Sequence, residues 1–254
     1  MRRVLLALLL TQTVFAAEGQ RINFVSCPVV RDTKTVPCFL AEFEGETYFL
    51  GIQQDISAEF HPPQLLHEVL VEGAVAAGPR VCGGIPLKPL KISVMPEINR
   101  VCNTILPAEE GIDAPPAARG AGPSTKRTSL GTPPAPPAPP TAPFAAKEFK
   151  IYFDFDSDYL VIPSTRTVNE AAVYAKASNA AKVTVTGYRA ATQLSSGKDL
   201  IESPLVAERR AHMVEQVMRG LGVANIAAKS MDQPGPADGT NDSQNRRVVI
   251  AIEP

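Results

Sequence analysis

The sequence predicts an α+β protein: a small all-β domain, a proline-rich linker, and a second domain in which helices cover one face of a mixed sheet. Three observations predict it. Residues 17–106 hold short alternating apolar runs bounded by Gly and Pro, the pattern of short strands. Residues 107–146 turn to Pro, Ala, Gly, Ser and Thr. Residues 147–254 mix strand-period with helix-period stretches, as packed βαβ units do.

Residues 1–16 stand apart from the fold. Met1-Arg2-Arg3 is a basic start, Val4 to Leu10 is apolar, and Val14-Phe15-Ala16 supplies a small residue at the cut. This is the pattern of a secretory signal peptide cleaved after Ala16. No later stretch approaches the ~18 apolar residues of a membrane span, so the sequence predicts an exported protein without one. Cys27, Cys38, Cys82 and Cys102 all precede the linker. An even cysteine count in an oxidising compartment predicts disulfides, with three connectivities open. Easy closure of local loops favours Cys27–Cys38 and Cys82–Cys102.

Lys and Arg number 25 against 26 Asp and Glu, a net charge of −1. With no basic stripe, nucleic acid is not an expected partner. His61 and His67 are six apart, which suits neither a helix face nor a strand face as a metal pair. No Ser/His/Asp, Cys/His or metal cluster appears, so the sequence predicts no enzyme, no cofactor and no metal. Glu42, Glu44 and Glu46 read as a solvated charged turn.

In the domain at 17–106, Phe39, Ala41 and Phe43 alternate with Leu40, Glu42 and Glu44, and Glu46 to Ile52 returns after Glu44-Gly45. That is a hairpin. His67 to Ala76 and Leu90 to Met95 read as further strands. Pro28, Pro37, Pro62, Pro63, Pro79, Pro86 and Pro89 should keep the strands short. An OB-like barrel or a sandwich follows, with a docking role for an unidentified envelope protein. The linker at 107–146 centres on Thr132 to Pro140. Polyproline geometry at ~3 Å per residue would carry it on the order of 100 Å, so it is expected to space the two domains apart.

In the domain at 147–254, Phe149, Ile151, Phe153 and Phe155 share one strand face. Thr167-Val168-Asn169-Glu170 has capping-box form and predicts a helix to about Ala177. Lys182 to Gly187 is a strand. Ser203 and Pro204 predict the start of a second helix, on which Ala207, Ala211, Val214, Val217, Met218 and Leu221 form one apolar stripe. Gly222 stops it. Ile226 to Ser230 and Arg247 to Ile252 are the last strands. The predicted order is β-α-β-α-β-β.

Three blocks carry a family likeness over Phe149 to Glu253. They are Phe153-Asp154-Phe155-Asp156-Ser157, Val206 to Val214 with Arg210 at its centre, and Asn245-Arg246-Arg247-Val248. Together they resemble the OmpA-like domain, a two-layer sandwich with which bacterial envelope proteins hold peptidoglycan. The resemblance implies a periplasmic, cell-wall-associated protein whose ligand is the peptidoglycan stem peptide. Arg210 would grip a carboxylate of that peptide with its fork, and Asn245, Arg246, Asp156 and Gly187 would fall on the ligand side. The sequence departs from the family at Gly187-Tyr188-Arg189-Ala190, where the family has Gly-His-Thr-Asp. Ala190 offers a ligand ammonium nothing. Asp199 and Glu202 are the candidate substitute carboxylates. Two functions are therefore expected: a non-covalent wall anchor whose β domain binds a partner, or a degenerate scaffold in an envelope-spanning secretion or conjugation apparatus without peptidoglycan binding.

Overall fold

The computed structural model describes residues 17–53, 58–116 and 140–254. The expected signal peptide and most of the proline-rich linker core lie outside the described residues.

The first domain contains β1 (Arg21–Ser26), β2 (Pro28–Arg31), β3 (Cys38–Phe43), β4 (Glu46–Ile52), β5 (His67–Val75), β6 (Ile85–Ile98) and β7 (Thr104–Leu106). The sheet order is β1-β5-β6-β4-β3-β2-β7. β1 and β2 are separated only by Cys27; β1 pairs with β5 while β2 pairs with β3. The pairing therefore returns on itself around a core of Ile22, Phe24, Tyr48, Leu50, Val69, Val71 and Ile92. The β3–β4 hairpin turns at Glu44 (φ 51) and Gly45 (φ 80), two positive φ values in succession, as a tight hairpin turn requires.

β6 runs for 14 residues, longer than its prolines led us to expect. Pro86 falls where β6 leaves β4 for β5, and Pro89 and Pro96 fall inside the two register shifts of the β5–β6 ladder. A proline at a bulge removes no ladder hydrogen bond. The disulfides are Cys27–Cys102 and Cys38–Cys82, which corrects the expected local pairs. Cys38 stands opposite Arg31 in the β2–β3 ladder, so Cys27 lies beyond the far end of β2, ~13 Å away at strand rise. That gap is too wide for a bridge. Ile112 and Ala114 pack against the cluster around Cys38 and Cys82, so the chain stays on this domain past Leu106.

The second domain contains β8 (Lys147–Tyr152), α1 (Ile162–Ala177), β9 (Lys182–Gln193), β10 (Asp199–Ile201), α2 (Val206–Gly220), β11 (Ile226–Gly235) and β12 (Arg247–Glu253). Its sheet runs β10-β9-β12-β8, with β11 parallel to β9. Val168, Ala171 and Ala175 of α1 and Ala211, Val214 and Met218 of α2 cover Ile151, Val185, Val248 and Ile250. Against the expected order, β10 is an added strand, formed by a hairpin that folds back on β9. α1 begins at Ile162, five residues before Thr167, because Pro163 sits in its first turn, where a missing N–H costs nothing. Thr167 Oγ1 donates instead to Pro163 O (3.4 Å). α2 begins without a side-chain cap, so Ser203 does not serve as one.

The two domains are not held apart. Ser93 Oγ accepts from Phe155 N (2.7 Å), and Asn23 O accepts from Ser195 N (2.8 Å). The β1–β5–β6 face thus meets the loops at one end of the second domain.

Candidate functional site

Arg210 sits on α2, one turn in from its start, and α2 lies across β9. The approach is close because Gly187 has no side chain: a Cβ there would stand 1.9 Å from Ala207 O. Gly187 is therefore a packing residue of the helix–sheet contact and offers no surface to a ligand.

The helix carries the Arg210 guanidinium inward, to zero exposure. All five of its N–H groups find acceptors. Nε donates to Ser157 O (2.8 Å). Nη1 donates to Tyr188 O (3.0 Å) and Glu202 Oε2 (2.9 Å). Nη2 donates to Asp154 O (2.9 Å) and Glu202 Oε1 (2.6 Å). A guanidinium has five donors, so none is left over. The Phe153 ring lies 5.2 Å from its carbon.

Glu202 is equally committed. It is 1 % exposed, and beyond the bidentate pair its Oε1 accepts from Asp156 N (2.8 Å) and its Oε2 from Ala190 N (2.7 Å). Its carboxylate thus faces four donors of one cradle: two from Arg210 and two backbone amides. β10 and the turn after it place it there. Glu202 was expected to replace the family aspartate toward a ligand ammonium; it pairs with the arginine instead. Asp199 is exposed on β10 and takes no part. Ala190 contributes through its backbone amide and is itself fully buried.

Asp156 adopts φ 51 and its carboxylate accepts from Ser203 N (3.0 Å), tying the β8–α1 loop to the segment before α2. Asn245 is also structural: its amide donates to Pro236 O (3.2 Å) and its oxygen accepts from Arg247 Nη1 (3.2 Å). His212 is exposed between Glu208 and Glu215, on the surface.

Arg246 is the second fully buried arginine. It donates to Thr192 Oγ1 (2.9 Å) and to Phe153 O (3.4 Å). Both Nη atoms also donate to the carboxylate of Glu72, which comes from β5 of the other domain. Burial works to lower the Arg246 guanidinium, but Glu72, with Glu202 and Asp154 behind it, outweighs this and holds it above its ordinary value. Arg210 and Arg246 bond the consecutive carbonyls of Asp154 and Phe153. The Asp154 side chain points to the other domain, where it meets Lys91 Nζ (2.8 Å) and both the backbone N–H (3.0 Å) and the ring of His61. Burial pushes its carboxyl up; the His61 hydrogen bond and Lys91 prevail and hold it below the usual range.

Sequence reasoning missed Glu72 and Lys91, and it noted His61 and Asp154 without placing them opposite each other. The one available signal was Glu72 itself, a charge inside the apolar run Val69-Leu70-Val71-Glu72-Gly73-Ala74-Val75. A cleft of about 470 Å³ opens between His61, His67 and the segment from Asp154 to Leu160, but Arg210 is not among its lining residues. Among the described residues, no helix is long and apolar enough to cross a membrane.

No family model and no curated protein matches the chain. Solved structures do. The OmpA-like domain of FopA1 from Francisella tularensis is 24% identical over 43% of this chain and 73% of that one, with a TM-score of 0.35. The peptidoglycan-associated lipoprotein from Burkholderia pseudomallei is 23% identical over 41% and 90%, with a TM-score of 0.34. The periplasmic domain of Helicobacter pylori MotB is 19% identical over 42% and 76%, also at 0.34. Part of this chain is similar to OmpA-like domains.

Proposed function

We propose that this protein is an exported component of the bacterial cell envelope in which the OmpA-like module serves as a docking scaffold and leaves peptidoglycan ungripped. One observation carries this: all five Arg210 donors are spent inside the protein, two of them on Glu202. A stem-peptide carboxylate reaching Arg210 would have to expel a buried, fourfold-bonded carboxylate. Breaking such a pair costs ~3–5 kcal/mol. The family position that would hold the ligand ammonium is Ala190, so nothing on the other side of the ligand offsets that cost.

The β domain fits the scaffold role as an OB-like barrel. Its pairing returns on itself through β1 and β2, and β4 lies parallel to β6. The signal-peptide pattern and the disulfides support an oxidising compartment, and the periplasm is the location we propose.

Co-sedimentation of the intact protein with purified sacculi tests this. The expected result is that it stays in the supernatant, and that mild cross-linking in cells captures an envelope complex. Sedimentation that free diaminopimelate abolishes would overturn the proposal in favour of wall anchoring.

A further inference from the structure

Each buried apolar cluster among the described residues belongs to one domain alone: Phe149 to Ile252 form one, and the others lie before residue 115. Across the contact between the domains the bonded groups are polar, with the Phe155 ring buried beside them. Glu72 faces Arg246 and Thr192; Lys91 and His61 face Asp154. Ser93 accepts from Phe155 N, Asn23 exchanges hydrogen bonds with Ser195, and its amide donates to Gln193 O and Gly239 O. Such a contact differs in kind from the cores beside it. A core resists opening because apolar surface meets water. A buried ion pair that opens is rehydrated on both sides, and that recovers most of what it loses. Polar contacts between domains allow relative motion by default. The domains stay covalently joined, so reclosing is intramolecular.

We propose that this contact is a releasable clasp, closed in the structure, which opens as a unit while both cores remain folded and which on opening bares the Arg246 guanidinium. Glu72 is its latch. It supplies both carboxylate oxygens to an arginine whose own domain offers only one hydroxyl and one carbonyl. This stands apart from the question of wall binding, because Glu202 and Arg210 lie wholly within the second domain and stay paired whether the clasp is open or shut.

Amide hydrogen exchange on the intact protein tests it. Among the described residues, four backbone amides donate across the contact: Asn23, His61, Phe155 and Ser195. They are expected to exchange together, faster than the core amides of Leu70, Val185 and Ile250. Glu72→Gln keeps the shape and removes the charge. It should speed the four by about tenfold or more, as loss of a charge-assisted hydrogen bond implies, and leave the three core amides unchanged. Two results overturn the proposal. In one, the four amides of the wild type exchange only as slowly as the cores. In the other, Glu72→Gln accelerates the core amides by the same factor, which would make the contact part of one cooperative fold.

Discussion

Glu202→Ala strikes the buried cradle around Arg210. The substitution removes both oxygens that face Arg210 and leaves a guanidinium of zero exposure with three carbonyls as its acceptors among the described residues. Breaking a buried ion pair by removing one partner costs ~3–5 kcal/mol. The amides of Asp156 and Ala190 lose their acceptor at the same time. An orphaned buried donor costs ~1–3 kcal/mol, a contribution that overlaps the first and does not simply add. We therefore expect a loss of ~4 kcal/mol from a domain whose total is ~5–15 kcal/mol. Urea unfolding followed by far-UV ellipticity measures it, because both α-helices among the described residues lie in this domain. At a slope of ~2 kcal/mol/M the midpoint should fall by ~2 M. The double variant Glu202→Ala/Arg210→Met should be more stable than the sum of the two single losses implies, by at least ~1 kcal/mol. A Glu202→Ala loss under ~1 kcal/mol, or strict additivity, would refute the claim that this pair closes the site.

Gly187→Ala should lower the melting temperature sharply, because the new methyl must drive a helix backbone back from 1.9 Å; overpacking costs ~1–3 kcal/mol and a backbone obstacle puts it at the top of that range. Replacing Cys27 and Cys102 together by Ala should cost ~4 kcal/mol in urea unfolding under oxidising conditions, from the loop that the bridge closes in the unfolded chain. Asp154 has its folded pKa held down, so its contribution is present above the unfolded value of ~3.9 and is lost as pH falls through the lower folded value. An acid titration should therefore weaken the domain contact below about pH 4, and Asp154→Asn should remove that part of the pH dependence. Exchange of the Phe155 amide reads it out.

What the sequence showed plainly was periodic. The stripe of Ala207, Ala211, Val214 and Met218 on α2 is one helix face, and all four are buried, as a 3.6-residue period puts them. Glu44-Gly45 marked the β3–β4 hairpin because a tight turn needs those residues locally. What stayed hidden was non-local. The cysteine pairing depends on which strands lie side by side, and loop length alone pointed the wrong way. β10 is three residues long, too short for any period to register. The candidate site was half legible: Arg210 and Glu202 were both singled out, but as the two ends of a ligand clamp rather than as partners. A bidentate fork finds whichever carboxylate the fold brings nearest, and a hairpin eight residues upstream brought Glu202. The Glu72–Arg246 pair joins positions 174 apart, and complementarity over that span leaves no trace in a local window.

The Cys27–Cys102 bridge, whose ends are 75 positions apart, also decides how the protein answers to force. Once tension on the trailing part of the chain has drawn the segment to Ala114 and β7 off the first domain, it reaches Cys102 and passes by covalent bond to Cys27, so the strands between the two cysteines carry none of it. Without it, the Cys38–Cys82 bridge would still shortcut 44 of those 75 positions, and the remaining ~31 would add ~110 Å of slack at ~3.5 Å each. With the bridge intact that length is not released, and the first domain stays short under load.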